Sequence, residues 1–409
     1  MDLPRLAWSQ DGVECSARWR SESGQPPPRR VVSADDRMGA DAAYRLVCAG
    51  TGLLWRGDFQ NARQLLQALG RRAERSTVKA RDRVRALAGA ASRPDAISAN
   101  TGSRDQTGAV AQQAQAFHLH RQAQSQRART LGLLLLHFTP DHSLALRRAP
   151  DVRSACAAAW GPGSPDAEPY VASMRELLGL VSAHEWRSRG VAVPALGARI
   201  HPHYGVFAPL RGEYLTLVAQ TALPAAVLQP QGVAWDIGTG SGVLAALLVQ
   251  RGVQRVVATD CEPRALECAG DNLQRLGLSG AVQLLQADLF PSGAAALIVC
   301  NPPWIPARPS APIEQAVYDP ESRMLRGFLA GLRSHLGPGG EGWLVLSDLA
   351  EHLGLRSRAE LLAWIGAGGM RVLGRTEVKP EHRKALDPED PLHSARGAER
   401  TSLWRLGPS

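Results

Sequence analysis

A glycine-rich turn between a short apolar strand and an apolar helix is the feature that most constrains how this chain can fold. Residues 233–237 predict a buried strand, and residues 242–250 predict a helix of small and aliphatic side chains. The glycines between them, Gly238, Gly240 and Gly242, permit positive φ angles and let a ligand approach the backbone. Because the helix offers unpaired N–H groups at its N-terminus, the turn predicts a ligand site.

The same alternation of strand and helix continues along the chain. Strands are predicted at residues 255–260, 282–288 and 296–300, and a helix with proline in its first turn at residues 263–276. Ligands of open α/β sheets bind beyond the carboxyl ends of the strands. Four successive strand ends here carry polar side chains: Asp236, Asp260, Asp288 and Asn301.

Three later segments complete the sheet. Residues 343–347 and 370–378 predict strands, and residues 401–406 predict an edge strand that pairs in the antiparallel direction. The sequence therefore predicts an α/β fold with seven strands, mostly parallel and with the last strand antiparallel, and with helices on both faces.

The sequence of the glycine turn indicates which ligand it binds. A dinucleotide-binding turn requires glycine at position 243, where this chain has Val243. Asp236 at the strand end would repel a pyrophosphate but would attract a cationic sulfonium amino acid. The turn therefore favours S-adenosylmethionine over NAD. Asp260 lies 24 residues further on, close to the ~20 residues expected for an acid that binds ribose hydroxyls.

The segment Asn301-Pro302-Pro303-Trp304 predicts the transfer chemistry. An amide or exocyclic amine nitrogen is a poor nucleophile, since it shares its lone pair with a π system. The Asn301 side-chain oxygen and the Pro302 carbonyl can accept its hydrogens, and Pro303 confines Pro302 to extended geometry. Trp304 can stack on a flat target and favour developing positive charge. Alignment of the reactants would supply most of the catalysis.

Residues 201–409 resemble the class I S-adenosylmethionine-dependent methyltransferases. Within them, residues 301–306 (Asn-Pro-Pro-Trp-Ile-Pro) are similar to the Asn-Pro-Pro-Tyr-Ile-Pro segment of the release factor glutamine methyltransferases. Residues 317–325 are similar to the tyrosine, acid and proline run that follows in that group. Two segments depart from the pattern: tryptophan replaces tyrosine at position 304, and residues 201–214 differ from the usual Pro-Arg-Pro-Glu-Thr-Glu run.

The resemblance implies a Rossmann-like methyltransferase sheet and a role for each motif residue. Asn301 and Pro302 would grip the target nitrogen, so the catalytic candidates are Asn301, Pro302 and Trp304. Asp236, Gly238 and Gly240 would surround the methionine moiety, Asp260 would hold the ribose, and Asp288 would lie near the adenine. The full set of cofactor-binding candidates is Asp236, Gly238, Thr239, Gly240, Asp260, Cys261, Asp288, Leu289 and Asn301. Candidate contacts of substrate or lid in the 201–214 segment are Phe207, Pro209, Arg211 and Glu213.

A length of 409 residues predicts two or three domains. We expect an extended or mobile segment at residues 1–35, a mainly helical domain for substrate recognition at 36–200, and the methyltransferase domain at 201–409. No apolar run reaches the ~18 residues of a membrane span, and the six cysteines lack metal-ligand spacing. We therefore expect a cytoplasmic protein without a metal. A monomer is one of the oligomeric states that the sequence leaves open.

The net charge of +9 comes from one region. Residues 51–150 hold 16 Lys and Arg against 6 Asp and Glu, an excess of +10. Such a region can bind RNA or a ribosomal surface, and it can equally be a solvated helix face.

We therefore expect an N-methyltransferase whose acceptor is a glutamine side-chain amide in a release factor or ribosomal protein. The alternative acceptor is an exocyclic base amine of RNA or DNA, because a base edge presents the same pair of N–H groups. A small-molecule acceptor and a cofactor-binding protein without catalysis also stay open.

Overall fold

The computed structural model describes residues 4–10, 12–91, 104–209, 212–309, 312–380, 387 and 390–409. The chain divides into two compact units, whose boundaries fall within the N-terminal half and in the loop near residue 310. The first unit comprises residues 1–84, 118–185 and 310–312, and the second comprises residues 85–117, 186–309 and 313–409.

The first unit contains a sheet of six described strands. Its strands in chain order are β1 (Arg5–Gln10), β2 (Val13–Trp19), β3 (Arg30–Ala34), β4 (Thr51–Trp55), β5 (Leu134–Phe138) and β6 (Tyr170–Ser173). They lie in the order β1-β2-β6-β5-β4-β3, with β1–β2 and β5–β6 antiparallel and the other pairs parallel. Leu53, Leu54 and Leu135 are fully buried in it.

This sheet corrects the expectation of a mainly helical domain, which omitted it. Residues 1–35, expected to be extended or mobile, contribute β1, β2 and β3. Helices do occupy much of this half: α1 (Ala40–Cys48), α2 (Phe59–Ala91), α3 (Arg104–Leu131), α4 (Arg153–Trp160) and α5 (Met174–Arg189). Most of these strands escaped prediction because they are short and, apart from the hairpin of β1 and β2, pair with segments that do not follow them directly in the chain.

The second unit contains the expected seven-stranded sheet among its described residues. Its strands are β9 (Ala234–Ile237), β10 (Val256–Asp260), β11 (Val282–Gln286), β12 (Ala295–Cys300), β13 (Leu336–Ser347), β14 (Met370–Val378) and β15 (Thr401–Pro408), after a short hairpin of β7 (Val191–Val193) and β8 (Ala198–Ile200). The order is β11-β10-β9-β12-β13-β15-β14, and β15 alone among these seven strands runs opposite to the other six. It lies between β13 and β14, so the edge position expected for residues 401–406 was wrong, and β14 is the edge strand. The prediction of a mostly parallel sheet with an antiparallel last strand is confirmed.

Both faces of this sheet are covered by helices. They are α6 (Glu213–Gln220), α7 (Val243–Gln250), α8 (Pro263–Arg275), α9 (Arg323–His335), α10 (Leu349–His352), α11 (Arg358–Ala367) and α12 (His393–Ala398). Alternate strand residues face opposite layers: Val299 packs in the cluster that contains α6 and α7, whereas Ile298 packs with α9 and α11. In the described part of the chain, no helix is long and apolar enough to span a membrane.

Candidate active site

The strand register of the sheet brings the predicted motifs together. Ile237 at the end of β9 pairs with Thr259 of β10 on one side and with Cys300 of β12 on the other. The residues that follow these three are Gly238, Asp260 and Asn301. Since paired strands lie about 5 Å apart, the glycine turn, the second acid and the asparagine leave the sheet side by side at its carboxyl edge.

The glycine turn is held against β10 by its backbone. The N–H groups of Gly238 and Thr239 both donate to the carbonyl of Thr259, at 2.9 and 2.8 Å. Gly238 has φ +73°, and a Cβ there would lie 2.5 Å from the Met324 side chain. Gly242 has φ +80°, and a Cβ there would lie 3.2 Å from Ala269 of α8. Both positions therefore favour glycine for their backbone angle, and Gly242 also favours it because the backbone of α8 lies close.

Asp236 is a fully buried carboxylate beneath this turn. Its Oδ2 accepts hydrogen bonds from Thr239 Oγ1 at 2.7 Å and from the N–H of Ala245 at 3.0 Å. Its Oδ1 is buried and has no hydrogen-bond partner among the described residues. Burial raises the pKa of Asp236 to about 6, and the nearby charge of Asp260 adds to the rise, whereas the two hydrogen bonds oppose it. A cation placed here would stabilise the ionised carboxylate.

Asp260 ends β10, with one carboxylate oxygen bonded to the glycine turn and the other to the loop that follows the strand. Oδ2 accepts the N–H of Gly240 and Oδ1 accepts the N–H of Glu262, each at 3.0 Å. Burial raises the pKa of Asp260, while these backbone hydrogen bonds lower it. Each oxygen keeps a further lone pair that can accept a ribose hydroxyl.

These observations fit the S-adenosylmethionine expected from the sequence. The unpartnered oxygen of Asp236 suits a cationic ligand, and a Cβ built on Gly240 meets open space, so the backbone leaves room there. Two carboxylates with raised pKa values would be stabilised by the positive charge and the hydroxyl groups of that molecule. Its reactive methyl group is bonded to a positively charged sulfur, which makes the methyl an electrophile.

The other cofactor candidates lie at the next strand end. Leu289 has φ +76°, a strained angle for a branched side chain, and its carbonyl accepts a hydrogen bond from Thr259 Oγ1 at 2.7 Å. Asp288 is more than half exposed and pairs with Arg323 at the start of α9. Cys261 is exposed, and its carbonyl accepts a hydrogen bond from Gln286. An adenine contact for these residues stays a prediction.

The Asn-Pro-Pro-Trp segment follows β12 directly and is closed by a hydrogen bond between its ends. The indole Nε1–H of Trp304 donates to Asn301 Oδ1 at 2.8 Å. The partly buried Trp304 ring packs against both hydrophobic clusters of the sheet. The motif is thus anchored at Asn301 by the strand and at Trp304 by the core.

Asp319, to which the sequence analysis assigned no role, fixes the segment after the motif. Its N–H donates to the carbonyl of Ile305 at 2.9 Å. Its buried carboxylate accepts the N–H groups of Met324 and Leu325, at 3.0 and 3.1 Å, so it caps the first turn of α9. An aspartate and a proline directly before a helix are a signal that could have identified it.

The 201–214 segment runs beside α8, next to the glycine turn. Val206 packs against Ala265 and Cys268 of that helix. Of the candidate contacts, Phe207 is half-buried, Pro209 is buried, and Glu213 lies in the first turn of α6. Arg211 lies outside the described residues. A contact of these side chains with substrate stays a prediction.

Asn272 of α8 connects the 201–214 segment to the glycine turn, and the sequence analysis missed it. Its Oδ1 accepts the N–H of His201 at 2.7 Å, and its Nδ2 donates to the carbonyl of Ser241 at 3.0 Å. The side chain is 1% exposed. An asparagine in the buried stripe of an amphipathic helix, beside Ala269 and Leu273, is the pattern that could have revealed it.

We expect Asn272→Ala to lower the free energy of unfolding by about 1–3 kcal/mol, since it leaves the half-buried N–H of His201 and the buried carbonyl of Ser241 without their partner. Urea unfolding of the purified protein measures this change. Gln274→Ala, an exposed position on the same helix, is the matched control and should change stability by less than about 0.5 kcal/mol. Equal stability of the two variants would contradict the connecting role.

Comparisons with known proteins agree with this geometry. Residues 197–359 match the model of the methyltransferase small domain family. The chain is 34% identical over 188 residues to a release factor glutamine methyltransferase of Cereibacter sphaeroides, covering 42% of this chain and 63% of the relative. It is 43% identical over 76 residues to a ribosomal protein L11 methyltransferase of Pelotomaculum thermopropionicum, covering 18% of this chain and 25% of the relative. The chain thus spans less than two thirds of the length of these curated relatives.

Among solved structures, a ribosomal protein L11 methylase from Lactobacillus delbrueckii subsp. bulgaricus is similar, with a TM-score of 0.33 and 18% identity, covering 47% of this chain and 78% of that one. The family match spans the glycine turn, Asp260 and the Asn-Pro-Pro-Trp segment. The chain therefore carries a class I S-adenosylmethionine-dependent methyltransferase domain, and this domain resembles the release factor glutamine methyltransferases.

Proposed function

We propose that the whole protein is an N-methyltransferase that transfers the methyl group of S-adenosylmethionine to the side-chain amide of a glutamine in a translation protein. The observation that carries this proposal is the register of β9 and β12. It places Asn301 about one strand spacing, roughly 5 Å, from the first glycine of the cofactor turn. An acceptor held at Asn301 would therefore lie beside the methyl donor.

The residues of the motif act on the acceptor by hydrogen bonding. Asn301 Oδ1 and the carbonyl of Pro302 accept the two hydrogens of the amide nitrogen, which directs its lone pair out of the amide plane and toward the methyl group. A new N–C bond forms as the S–C bond breaks, and one N–H proton then leaves to solvent. Proline at positions 302 and 303 removes backbone N–H donors that would compete for the same acceptors.

The proposed substrate class is supported by the names of the relatives. The two kinds of curated relative are a release factor glutamine methyltransferase and a ribosomal protein L11 methyltransferase, so the names refer to translation proteins in both cases. The alternative acceptor, an exocyclic base amine, is favoured by the basic region. Arg63, Arg71 and Arg75 are exposed on α2, where phosphates could reach them. A cytoplasmic location and a monomeric state stay predictions.

The test is transfer of a labelled methyl group from S-adenosylmethionine into an extract of cells that lack the protein. The labelled product is divided into three portions, which are treated with protease, with nuclease and with strong acid. Acid hydrolyses an N-methylated glutamine amide to glutamate and volatile methylamine, whereas a methyl group on an amine side chain stays attached. Asn301→Ala protein in the same extract is the control for other methyltransferases.

We expect label that protease releases and that acid converts to methylamine. Label sensitive only to nuclease would overturn the glutamine proposal and support a base amine. Protease-sensitive label that yields no methylamine would assign an amine acceptor in a protein. Absence of label, with cofactor bound, would overturn the transfer activity on macromolecules.

Cofactor affinity should depend on pH because of Asp236. Burial raises the pKa of Asp236 to about 6 in the ligand-free protein, above the ~3.9 of a solvated aspartate. The ionised form is the one that attracts the cationic sulfur, so binding must release a proton once the pH falls below about 6. We expect the affinity for S-adenosylmethionine to be constant above about pH 7 and to fall by up to about tenfold per pH unit below 6.

Isothermal titration calorimetry between pH 5 and 8 measures this dependence. S-adenosylhomocysteine, whose sulfur is neutral, is the matched ligand and should show a shallower fall. Asp236→Asn should flatten the curve for S-adenosylmethionine. Identical curves for the two ligands would contradict an interaction between the Asp236 carboxylate and the sulfonium charge.

A further inference from the structure

The hydrogen bond between Trp304 and Asn301 has a chemical role that follows from the kinds of group it joins. The indole Nε1–H is a donor only, whereas a side-chain amide has an oxygen that accepts and an NH₂ group that donates. In the structure the indole donates to Asn301 Oδ1 at 2.8 Å. An Asn301 amide rotated by half a turn would set its NH₂ group against the indole N–H, two donors facing each other. The indole therefore fixes the orientation of the Asn301 amide, with Oδ1 rather than the NH₂ group toward the indole N–H.

The position of the indole is itself fixed by its surroundings. The Trp304 ring packs against the hydrophobic clusters on both faces of the sheet. Pro302 and Pro303, which separate the two residues, each hold φ near −65°. Ile305 then pairs with Tyr318 and receives the N–H of Asp319 on its carbonyl. A donor held in this way can orient a flexible side chain.

We propose that Trp304 is a positioning residue whose indole N–H holds the Asn301 amide so that Oδ1, and not Nδ2, faces the N–H of the methyl acceptor. This inference rests on the proposed function. An amide oxygen has two lone pairs, so Oδ1 can accept from the indole and from the acceptor at once. The tryptophan that departs from the Asn-Pro-Pro-Tyr pattern thereby gains a role, because a phenol carries its hydroxyl at the far end of the ring and lacks the indole N–H.

A double-mutant cycle tests the proposal. W304F removes the donor, and N301D replaces the amide with a carboxylate in which both oxygens accept, so that orientation no longer matters. With Asn at position 301, W304F should lower kcat about three- to tenfold, the worth of one hydrogen bond, and leave KM and cofactor affinity within about twofold. In the N301D background the same change should lower kcat by less than about twofold.

Equal losses in the two backgrounds would overturn the proposal, because they would show that the ring matters only for packing. Loss of packing in W304F is controlled by placing 3-benzothienyl-alanine at position 304, which keeps the shape of the indole and replaces its N–H with sulfur. This variant should reproduce the kcat of W304F. Wild-type kcat in it would overturn the proposal.

A second measurement requires no acceptor. In a ¹⁵N spectrum, the indole N–H signal of Trp304 is identified by its loss in W304F. We expect this signal to exchange slowly with solvent and to shift and exchange faster in N301A. An unchanged signal in N301A would show that the hydrogen bond is absent and would overturn the proposal. If the signal responds, the hydrogen bond is confirmed. If the wild-type protein nevertheless methylates no acceptor, the proposed function is overturned, and so is the role of Trp304 in methyl transfer.

Discussion

Replacing Asn301 with alanine is expected to lower the rate of methyl transfer by about 10²–10³-fold, the effect of removing one aligned polar group from a catalytic site. The substitution removes the oxygen that accepts an acceptor N–H and the partner of the Trp304 indole. The affinity for S-adenosylmethionine should stay within about twofold, since the glycine turn and Asp260 are the groups that we propose to hold the cofactor. Single-turnover transfer with the cofactor saturating measures the rate, and calorimetry measures the affinity.

The matched control is Gln254→Ala, which removes an exposed amide far from the carboxyl edge of the sheet. It should transfer methyl groups at the wild-type rate. If Asn301→Ala kept more than a tenth of the wild-type rate, Asn301 would be a structural residue of the strand end, and the assignment of the acceptor site would be wrong. A loss of cofactor affinity equal to the loss of rate would instead place Asn301 in the cofactor site.

Replacing Asp260 with alanine is expected to weaken binding of S-adenosylmethionine about 100-fold. A carboxylate that accepts two ribose hydroxyls makes two charge-assisted hydrogen bonds, together worth roughly 3 kcal/mol or more. The position of Asp260 at the end of β10, with Oδ2 bonded to Gly240 of the glycine turn, is the basis for this expectation. S-adenosylhomocysteine carries the same ribose, so its affinity should fall by the same factor.

Glu262→Ala is the matched control, because Glu262 is an exposed acid in the same loop and its loss changes the net charge equally. It should leave the affinity within about twofold. Asp260→Asn, which keeps one accepting oxygen, should lie between the wild type and Asp260→Ala. If Glu262→Ala weakened binding as much as Asp260→Ala, the loss of affinity would be a general electrostatic effect. That outcome would contradict the proposed ribose contact.

The catalytic half of the fold could be predicted because its signals are local. Strands β9, β10 and β12 are short, mostly apolar runs that end at or next to Asp236, Asp260 and Asn301, and helices α8 and α9 have a helical hydrophobic period. The parallel pairing of most of these strands was predicted from the alternation of strand and helix. Asp236, Asp260 and Asn301 could be placed at one edge for the same reason, since parallel strands end together.

Most of the first sheet could not be predicted because its pairing, apart from the hairpin of β1 and β2, is not local. Strand β2 pairs with β6, so that Arg18 lies opposite Tyr170. The hydrophobic period of either segment does not reveal which strand it pairs with. Strand β5, residues 134–138, is apolar at nearly every position, and a run of this length is compatible with a strand or a short helix.

The finest details of the site depend on side-chain geometry. A sequence pattern identifies Asn301 and Trp304 as residues that could act on a methyl acceptor. It does not show that the Trp304 indole donates a hydrogen bond to the Asn301 amide. Asn272 gives a weak signal, a polar residue in a buried helical stripe. Its two partners, His201 and Ser241, lie 71 and 31 residues away and become visible only in the folded chain.

The register of β12 has a consequence for insertions and deletions. One extra residue between Ala295 and Cys300 would shift Asn301 by one residue relative to the glycine turn. It would also exchange the faces of the sheet on which Ile298 and Val299 pack. The loop of residues 277–280, before β11, lies at the opposite edge of the sheet and can change length without moving either motif. We therefore expect insertions and deletions in this domain to be tolerated best at the edge of the sheet that lacks the active site.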